Sequence, residues 1–263
     1  MGFPLKVSDS PRFFNTVFGI EQTDAVYVPI TTDSVPSLIR LAEEAGISGI
    51  SITVPYKEEI VQYLSHRSSE VSSIGACNTI TAGPQGWTGY NTDAAGFSGS
   101  LLSFIGRKDL RRRRLTIIGA GGAARAAAAE VFRLKGKALI LNRTQTRARS
   151  LAEPYRFAWG ALDSRGAELM ERYSDIIIQA SPVGMYPDTE ADPIEFYKFS
   201  GRETVMDLIY KPEKTLCLRR AEEAGCRILN GSDMLHRQAR GQYAIYMKKE
   251  FPPSLISRVG LGG

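Results

Sequence analysis

A glycine-rich turn between an apolar run and an alanine-rich run restricts the fold of this chain more than any other feature. Leu115–Ile118 reads as a short buried strand, Gly119-Ala120-Gly121-Gly122-Ala123-Ala124 follows at once, and a helical pattern then runs to about Leu134. In the spacing Gly119-x-Gly121-x-x-Ala124 the glycines permit a tight turn and close backbone approach. The N-terminus of the following helix offers unpaired N–H groups to a pyrophosphate. The turn therefore predicts a dinucleotide loop built by Gly119, Gly121, Gly122 and Ala123. Apolar segments at Ala138–Leu141, Asp175–Ala180 and Thr204–Ile209 alternate with helical patterns at Thr146–Glu153, Gly166–Tyr173 and Thr215–Ala224. Such alternation calls for an α/β fold, a parallel sheet with helices on both faces. A last helix is expected from about Ser232 to Lys248, after Cys226–Leu229.

The end of the second strand of this series selects the nucleotide. A site for NAD places Asp or Glu there to bond the ribose 2′-hydroxyl. This chain has Asn142-Arg143-Thr144, with Arg147 one turn on. A carboxylate would repel a 2′-phosphate, whereas guanidinium and hydroxyl donors hold it by charge-assisted hydrogen bonds. The expected cofactor is NADP.

With 263 residues the chain is long enough for two domains at ~100–200 residues each. A 43% hydrophobic and 23% charged composition excludes a disordered chain. No apolar stretch approaches the ~18 residues of a membrane span, and no charged-then-apolar leader is seen. Three scattered cysteines, Cys77, Cys217 and Cys226, make neither a disulfide framework nor a zinc set. They read as reduced thiols, and the expected location is the cytoplasm. The net charge of +5 favours an anionic ligand without the one-sided clustering of a nucleic-acid surface. Arg111-Arg112-Arg113-Arg114 reads as a solvated basic turn, with a phosphate-facing patch as the alternative. No metal site, nucleic-acid partner or membrane partner is expected.

In the first half, Asp33-Ser34-Val35-Pro36 offers an N-cap followed by proline near the first turn of a helix expected to end at Gly46, with a strand over Ile47–Val54 and a hairpin about Gly83-Pro84-Gln85-Gly86. Polar residues fall at or after strand ends, Ser8 and Ser10 before Pro11, Thr53, Lys57 and Asp93, with Asn78 near a strand start. Pro55 is expected to begin a helix through about Leu64, with Lys57 in its first turn. A cation there opposes the helix dipole, while a neighbouring Asp93 carboxylate would favour the ammonium. A lysine under two opposed influences suits proton exchange with an alcohol or ketone. A surface lysine and a helix-capping Asp93 are the plain alternatives.

Taken in order, these residues resemble the shikimate dehydrogenase family. The likeness is carried by Ser8-Asp9-Ser10-Pro11 with Asn15, Ser51-Ile52-Thr53-Val54-Pro55-Tyr56-Lys57, Gly75-Ala76-Cys77-Asn78-Thr79 and Gly89-Tyr90-Asn91-Thr92-Asp93. It continues through Gly119–Arg125, Asn142-Arg143-Thr144, Ser181-Pro182-Val183-Gly184-Met185, Asp207-Leu208-Ile209-Tyr210, Gly231 and Met234-Leu235-x-x-Gln238-Ala239. The resemblance implies NADPH-dependent, reversible reduction of 3-dehydroshikimate to shikimate in aromatic amino acid biosynthesis. It implies that Ser8 and Ser10, assisted by Tyr210, bind the substrate carboxylate, and that Thr53, Asn78, Asp93 and Gln238 hold ring hydroxyls. Lys57 and Asp93 would be the catalytic pair; Ser181 would join the cofactor site and Gly231 would meet the nicotinamide carboxamide.

The implied architecture is a substrate domain over 1–94, completed by 232–263, and a Rossmann-like NADP-binding domain over 95–231. The expected partner is the small-molecule substrate, bound by a monomer or a homodimer. The chain departs from the family in three places. Gly2-Phe3-Pro4 comes without the usual first strand, Val7 stands where histidine is common, and Gln179 where asparagine is common. Absence of that strand would bare a neighbouring strand edge, or mark a piece of a longer polypeptide such as a fusion with a dehydroquinase. A quinate/shikimate dehydrogenase of broader specificity and a non-catalytic ligand sensor are the rival readings.

Overall fold

In the computed structural model, which describes residues 1–2 and 8–259, the chain divides into two units, Met1–Thr92 with Gln238–Gly263, and Asp93–Arg237. Phe3, Pro4 and Val7 lie outside the described residues.

In the first unit α1 (Ser10–Glu21) and α2 (Val35–Glu44) precede β1 (Gly49–Ser51), β2 (His66–Arg67), α3 (Ser69–Ile74), β3 (Thr79–Gly83) and β4 (Gly86–Tyr90). The four strands form one sheet in the order β1-β3-β4-β2, with β3 and β4 the antiparallel hairpin expected about Gly83 and Gly86. Within the Asp33-Ser34 pair it is Ser34 that caps α2, its side chain accepting from Ser37 N. In α1, Phe14, Val17 and Phe18 recur at helical spacing, and that stripe is buried together with Tyr243 and Leu255.

The strand expected over Ile47–Val54 is shorter, and its neighbours explain why. Ile47 N is taken by Ala42 O at the end of α2, and beyond Ser51 the amide of Thr53 bonds Met1 O at 2.7 Å. Met1 N in turn donates to Ser51 O, so Met1 pairs with the backbone on this side of β1 over these residues.

The second unit holds α4 (Asp93–Ile105), β5 (Arg114–Ile118), α5 (Gly122–Arg133), β6 (Lys137–Asn142), α6 (Gln145–Ala152), β7 (Ala158–Ala161), α7 (Ser164–Met170), β8 (Ile176–Gln179), β9 (Thr204–Asp207), α8 (Leu216–Glu223) and β10 (Arg227–Leu229). All six strands pair in parallel, in the order β10-β9-β8-β5-β6-β7. Counted from β7, with strands numbered by chain order, this is the 3-2-1-4-5-6 Rossmann order. Its strands are apolar on both faces because helices cover both. Ile117, Ile140 and Ile178 pack under Ala124, Ala128 and Val131 of α5, while Ile118, Leu141 and Ile177 face the opposite core with Leu218 of α8.

The edge strand β7 has no strand signal in its Ala-Trp-Gly-Ala sequence; only its pairing with β6 makes it a strand. The arginine run lies at the start of β5, the end opposite the glycine turn, where Arg111 pairs with Asp109 at 3.2 Å and Arg113 with Asp175 at 3.9 Å. It is a solvated basic turn. The closing helix, α9 (Ser232–Met247), runs from the second unit into the first. No helix among the described residues is long and apolar enough to cross a membrane.

Candidate active site

Asn78 organises the polar centre of the first unit. It follows the buried Cys77 at the start of β3 and is only 1% exposed. Its Nδ2 donates to Thr92 Oγ1 at 2.8 Å and to Gln238 Oε1 at 3.2 Å; its Oδ1 accepts from Thr92 N at 2.9 Å and from Thr79 Oγ1 at 2.8 Å. A carboxamide has two N–H donors and two acceptor positions, so all four are engaged within the cluster. Gln242, one turn beyond Gln238 on α9, donates to Asn78 O at 3.2 Å and Thr79 Oγ1 at 3.1 Å. The motifs of the sequence do not include Gln242, although its four-residue spacing from Gln238 puts both on one face of α9.

Lys57 is half-buried in the same unit, but it is not in an α-helix. The chain turns over residues 54–58 and continues as a 3₁₀-helix, Glu59–Tyr63. The reason is a competing donor: Lys57 O accepts from Cys77 N at 2.7 Å, and Val61 N, which would have bonded Lys57 O in an α-helix, bonds Glu58 O instead. The expected opposition between Lys57 and an α-helix dipole therefore does not apply. What fixes Lys57 is its backbone tie to Cys77, the residue before Asn78.

Thr53 is half-buried at the end of the β1 segment, and its carbonyl accepts from Tyr56 N at 3.0 Å. Ser8 and Ser10 are half-buried at the start of α1, where Ser10 N donates to Ser8 Oγ at 3.4 Å. Pro11 occupies the first turn, and the N-cap Asp9 makes no side-chain capping bond.

In the second unit the buried Asp93 opens α4, directly after Thr92. The glycine turn stands at the end of β5. Gly119 has φ +110°, a conformation closed to most other residues, and Gly121 caps α5 with no side-chain bond. A Cβ on Gly121 would meet nothing within 4 Å, so the space over the N-terminus of α5 is open to a bulky anion. Gly122 and Ala123 are the first two residues of α5.

Asn142 ends β6 and donates from Nδ2 to Thr144 O at 3.0 Å. Arg143, Thr144 and Arg147 are exposed beside it, Thr144 caps α6 without a side-chain bond, and Arg147 reaches Ala120 O at 3.5 Å. Two arginines, a threonine hydroxyl and no carboxylate at the end of β6 fit a 2′-phosphate; the open N-terminus of α5 fits a pyrophosphate. These groups suit NADP.

Two loops complete this end of the sheet. Ser181, half-buried, follows β8. Asp207 ends β9 with Oδ1 accepting from Ile209 N at 2.9 Å and Oδ2 from Thr215 Oγ1 at 2.7 Å, which fixes the segment carrying the half-buried Tyr210. Ile209 O accepts from Gly231 N at 3.0 Å, and a Cβ on Gly231 would lie 2.3 Å from Leu208 O. Only glycine fits there. Among the described residues no cluster of His, Cys, Asp and Glu could hold a metal ion.

Comparison with known proteins agrees with this geometry. Residues 1–80 match the shikimate dehydrogenase substrate binding domain family. A shikimate dehydrogenase (NADP(+)) of Shouchella clausii is 35% identical over 241 residues, covering 90% of this chain and 88% of that protein. A crystal structure of a shikimate dehydrogenase in complex with NADP+ superposes with TM-score 0.85 at 31% identity, over 99% of this chain and 92% of the other. A quinate dehydrogenase from Corynebacterium glutamicum in complex with NAD superposes with TM-score 0.80 at 26% identity, over 100% of this chain and 97% of the other. With sequence identity of this level running through both units, the chain belongs to the shikimate dehydrogenase family.

Proposed function

We propose that the protein is an NADP-dependent shikimate dehydrogenase, reducing 3-dehydroshikimate to shikimate and running in reverse with NADP+. The observation that carries this reading is the Asn78 hub. Its neighbour Cys77 is bonded to Lys57 O, and its side chain is bonded to Thr92, the residue before Asp93. Lys57 is thus tied through its backbone to the residue before Asn78, and the Asn78 carboxamide is bonded to the residue before Asp93.

When bound, the nicotinamide supplies the hydride. The side chains of this chain hold the substrate and move the proton. Ser8 and Ser10 hydroxyls at the start of α1, with the Tyr210 hydroxyl, donate to the substrate carboxylate. Thr53 and Gln238 hold ring hydroxyls. Gln238 Oε1 is fixed by Asn78, which leaves the Gln238 amide N–H groups as donors. Asn78 serves the same site through Gln238 and Thr92, and bonds a hydroxyl itself when one of its own hydrogen bonds exchanges. The Lys57 ammonium stands on the ketone oxygen, gives it a proton as alkoxide charge develops, and receives it back in the oxidative direction. Asp93 orients Lys57 and accepts from a ring hydroxyl.

Replacing Lys57 by alanine is expected to lower kcat by about 10²–10⁴-fold, with NADP+ affinity unchanged. Steady-state turnover together with a nucleotide titration checks this, and near-normal turnover removes Lys57 from the mechanism. The likeness to an NAD-bound quinate dehydrogenase keeps one second reading in view. The basic Asn142–Arg147 segment opposes its cofactor, because NAD has no phosphate for those arginines to hold.

A further inference from the structure

Gln179 closes β8, paired with Ile118 of β5 on one side and with Asp207 of β9 on the other. It therefore stands beside the strand that feeds the glycine turn. Its side chain is fully buried at 0% exposure, and its hydrogen bonds go to the turn that follows. Nε2 donates to Ser181 O at 3.0 Å and to Val183 O at 2.9 Å, while Oε1 accepts from Ser181 N at 2.7 Å. Residues 181–183 belong to neither strand nor helix, and Pro182 has no N–H to give. One side chain thus supplies the partners that regular structure would otherwise provide.

That turn borders the nucleotide loop. A Cβ on Gly119 would lie 3.2 Å from Ala180 C, Ala180 O and Ser181 N, so the backbone of 180–181 packs directly against the glycine. The sheet order sets which part of a dinucleotide meets it. In a 3-2-1-4-5-6 sheet the ligand crosses the point where strand order reverses, here between β5 and β8. The 2′-phosphate residues Asn142–Arg147 follow β6, on one side of β5; the 181–183 turn follows β8, on the other. The adenosine half therefore falls to the β6 side and the nicotinamide half to the β8 side.

We propose that Gln179 is a positioning residue for the nicotinamide half of NADP: its carboxamide sets the 181–183 turn beside Gly119, and through that turn it fixes where the nicotinamide ribose and ring lie. The inference rests on the reading of this unit as an NADP site.

The test compares two ligands on the full chain, NADP+ and adenosine 2′,5′-bisphosphate, which carries the adenosine half alone. Gln179→Met keeps nearly the same volume and removes all three hydrogen bonds. Gln179→Asn keeps the carboxamide but shortens its reach, and carries the same comparison should the methionine variant fail to fold. Calorimetric titration is expected to show NADP+ affinity weakened about 10-fold or more in Gln179→Met, with adenosine 2′,5′-bisphosphate affinity held within about twofold. Gln179→Asn is expected to weaken NADP+ in the same selective way. Unchanged NADP+ affinity, or equal weakening of both ligands, overturns the proposal, since a purely structural role moves both alike. A wild-type chain that binds neither ligand overturns the cofactor reading itself, and the control makes that outcome distinct.

Discussion

Glu203 and Asp207 bracket β9, both carboxylates buried in the same unit, and they are shifted in opposite directions. Burial alone would raise both. Against it, Glu203 accepts from Ser200 N at 3.0 Å, Arg202 N at 3.0 Å, the Tyr197 hydroxyl at 3.0 Å and the Cys226 thiol at 3.3 Å. Donors on that scale overcome burial and hold Glu203 down at about 2, while burial and the Glu203 carboxylate push Tyr197 beyond the ordinary phenol range. For Asp207 burial wins over the hydrogen bonds from Ile209 N and Thr215 Oγ1, and the charge of Asp192 adds to it; its carboxyl is pushed up to about 7.

The signs of the pH dependence follow. Glu203 contributes stability above its ordinary value of 4.5 that is lost as pH falls towards about 2. For Asp207 the folded state favours the proton, so stability is lost as pH rises from about 4 through about 7. Denaturant unfolding of wild type against Glu203→Gln is expected to show a gap, on the order of 3 kcal/mol from the titration alone, that narrows between pH 4.5 and 2. Against Asp207→Asn, wild type is expected to lose relative stability as pH rises from about 4 to about 7. Gaps that stay constant with pH contradict both assignments.

At the level of elements, two glycines separate stability from ligand binding. Gly231→Ala forces a Cβ to within 2.3 Å of a backbone carbonyl, which cannot swing aside as a side-chain tip can. It is expected to lower unfolding free energy by about 1–3 kcal/mol. Gly121→Ala places its Cβ in open space at φ −91°, an ordinary conformation, so stability should stay within about 0.5–1 kcal/mol. On the proposed reading the same methyl enters the space where a pyrophosphate approaches α5, and NADP+ affinity is expected to fall about 10-fold or more. Equal loss of stability in the two variants, or full NADP+ affinity in Gly121→Ala, contradicts this division.

These elements also show how far the sequence could be read. β5, the glycine turn and α5 are legible because their periodicities and turn chemistry are local. β7 is not, because a four-residue Ala-Trp-Gly-Ala edge strand exists only through its partner. The turn at Lys57 reads as a helix until Cys77 N, twenty residues on, claims the carbonyl that the helix needs. Asn78 and Gln238 are each visible as polar residues of the family motifs. Their bond spans 160 positions, and no local pattern encodes it.

At the scale of the whole molecule, the chain leaves one unit at Thr92 and re-enters it at Gln238 within α9. The polar cluster of Asn78, Thr92 and Gln238 therefore joins segments that the entire second unit separates in sequence. Lys57 belongs to the first unit and Asp93 is the first residue of the second. The proposed division of labour gives substrate and proton to one set of residues and the dinucleotide to another. The most direct test follows the absorbance of the reduced nicotinamide while the protein is offered shikimate or quinate, each with NADP+ or NAD+. The account predicts rapid reduction with shikimate and NADP+, and much slower reduction when quinate or NAD+ is substituted. Turnover confined to quinate with NAD+, or none with any pair despite NADP+ binding, would contradict it.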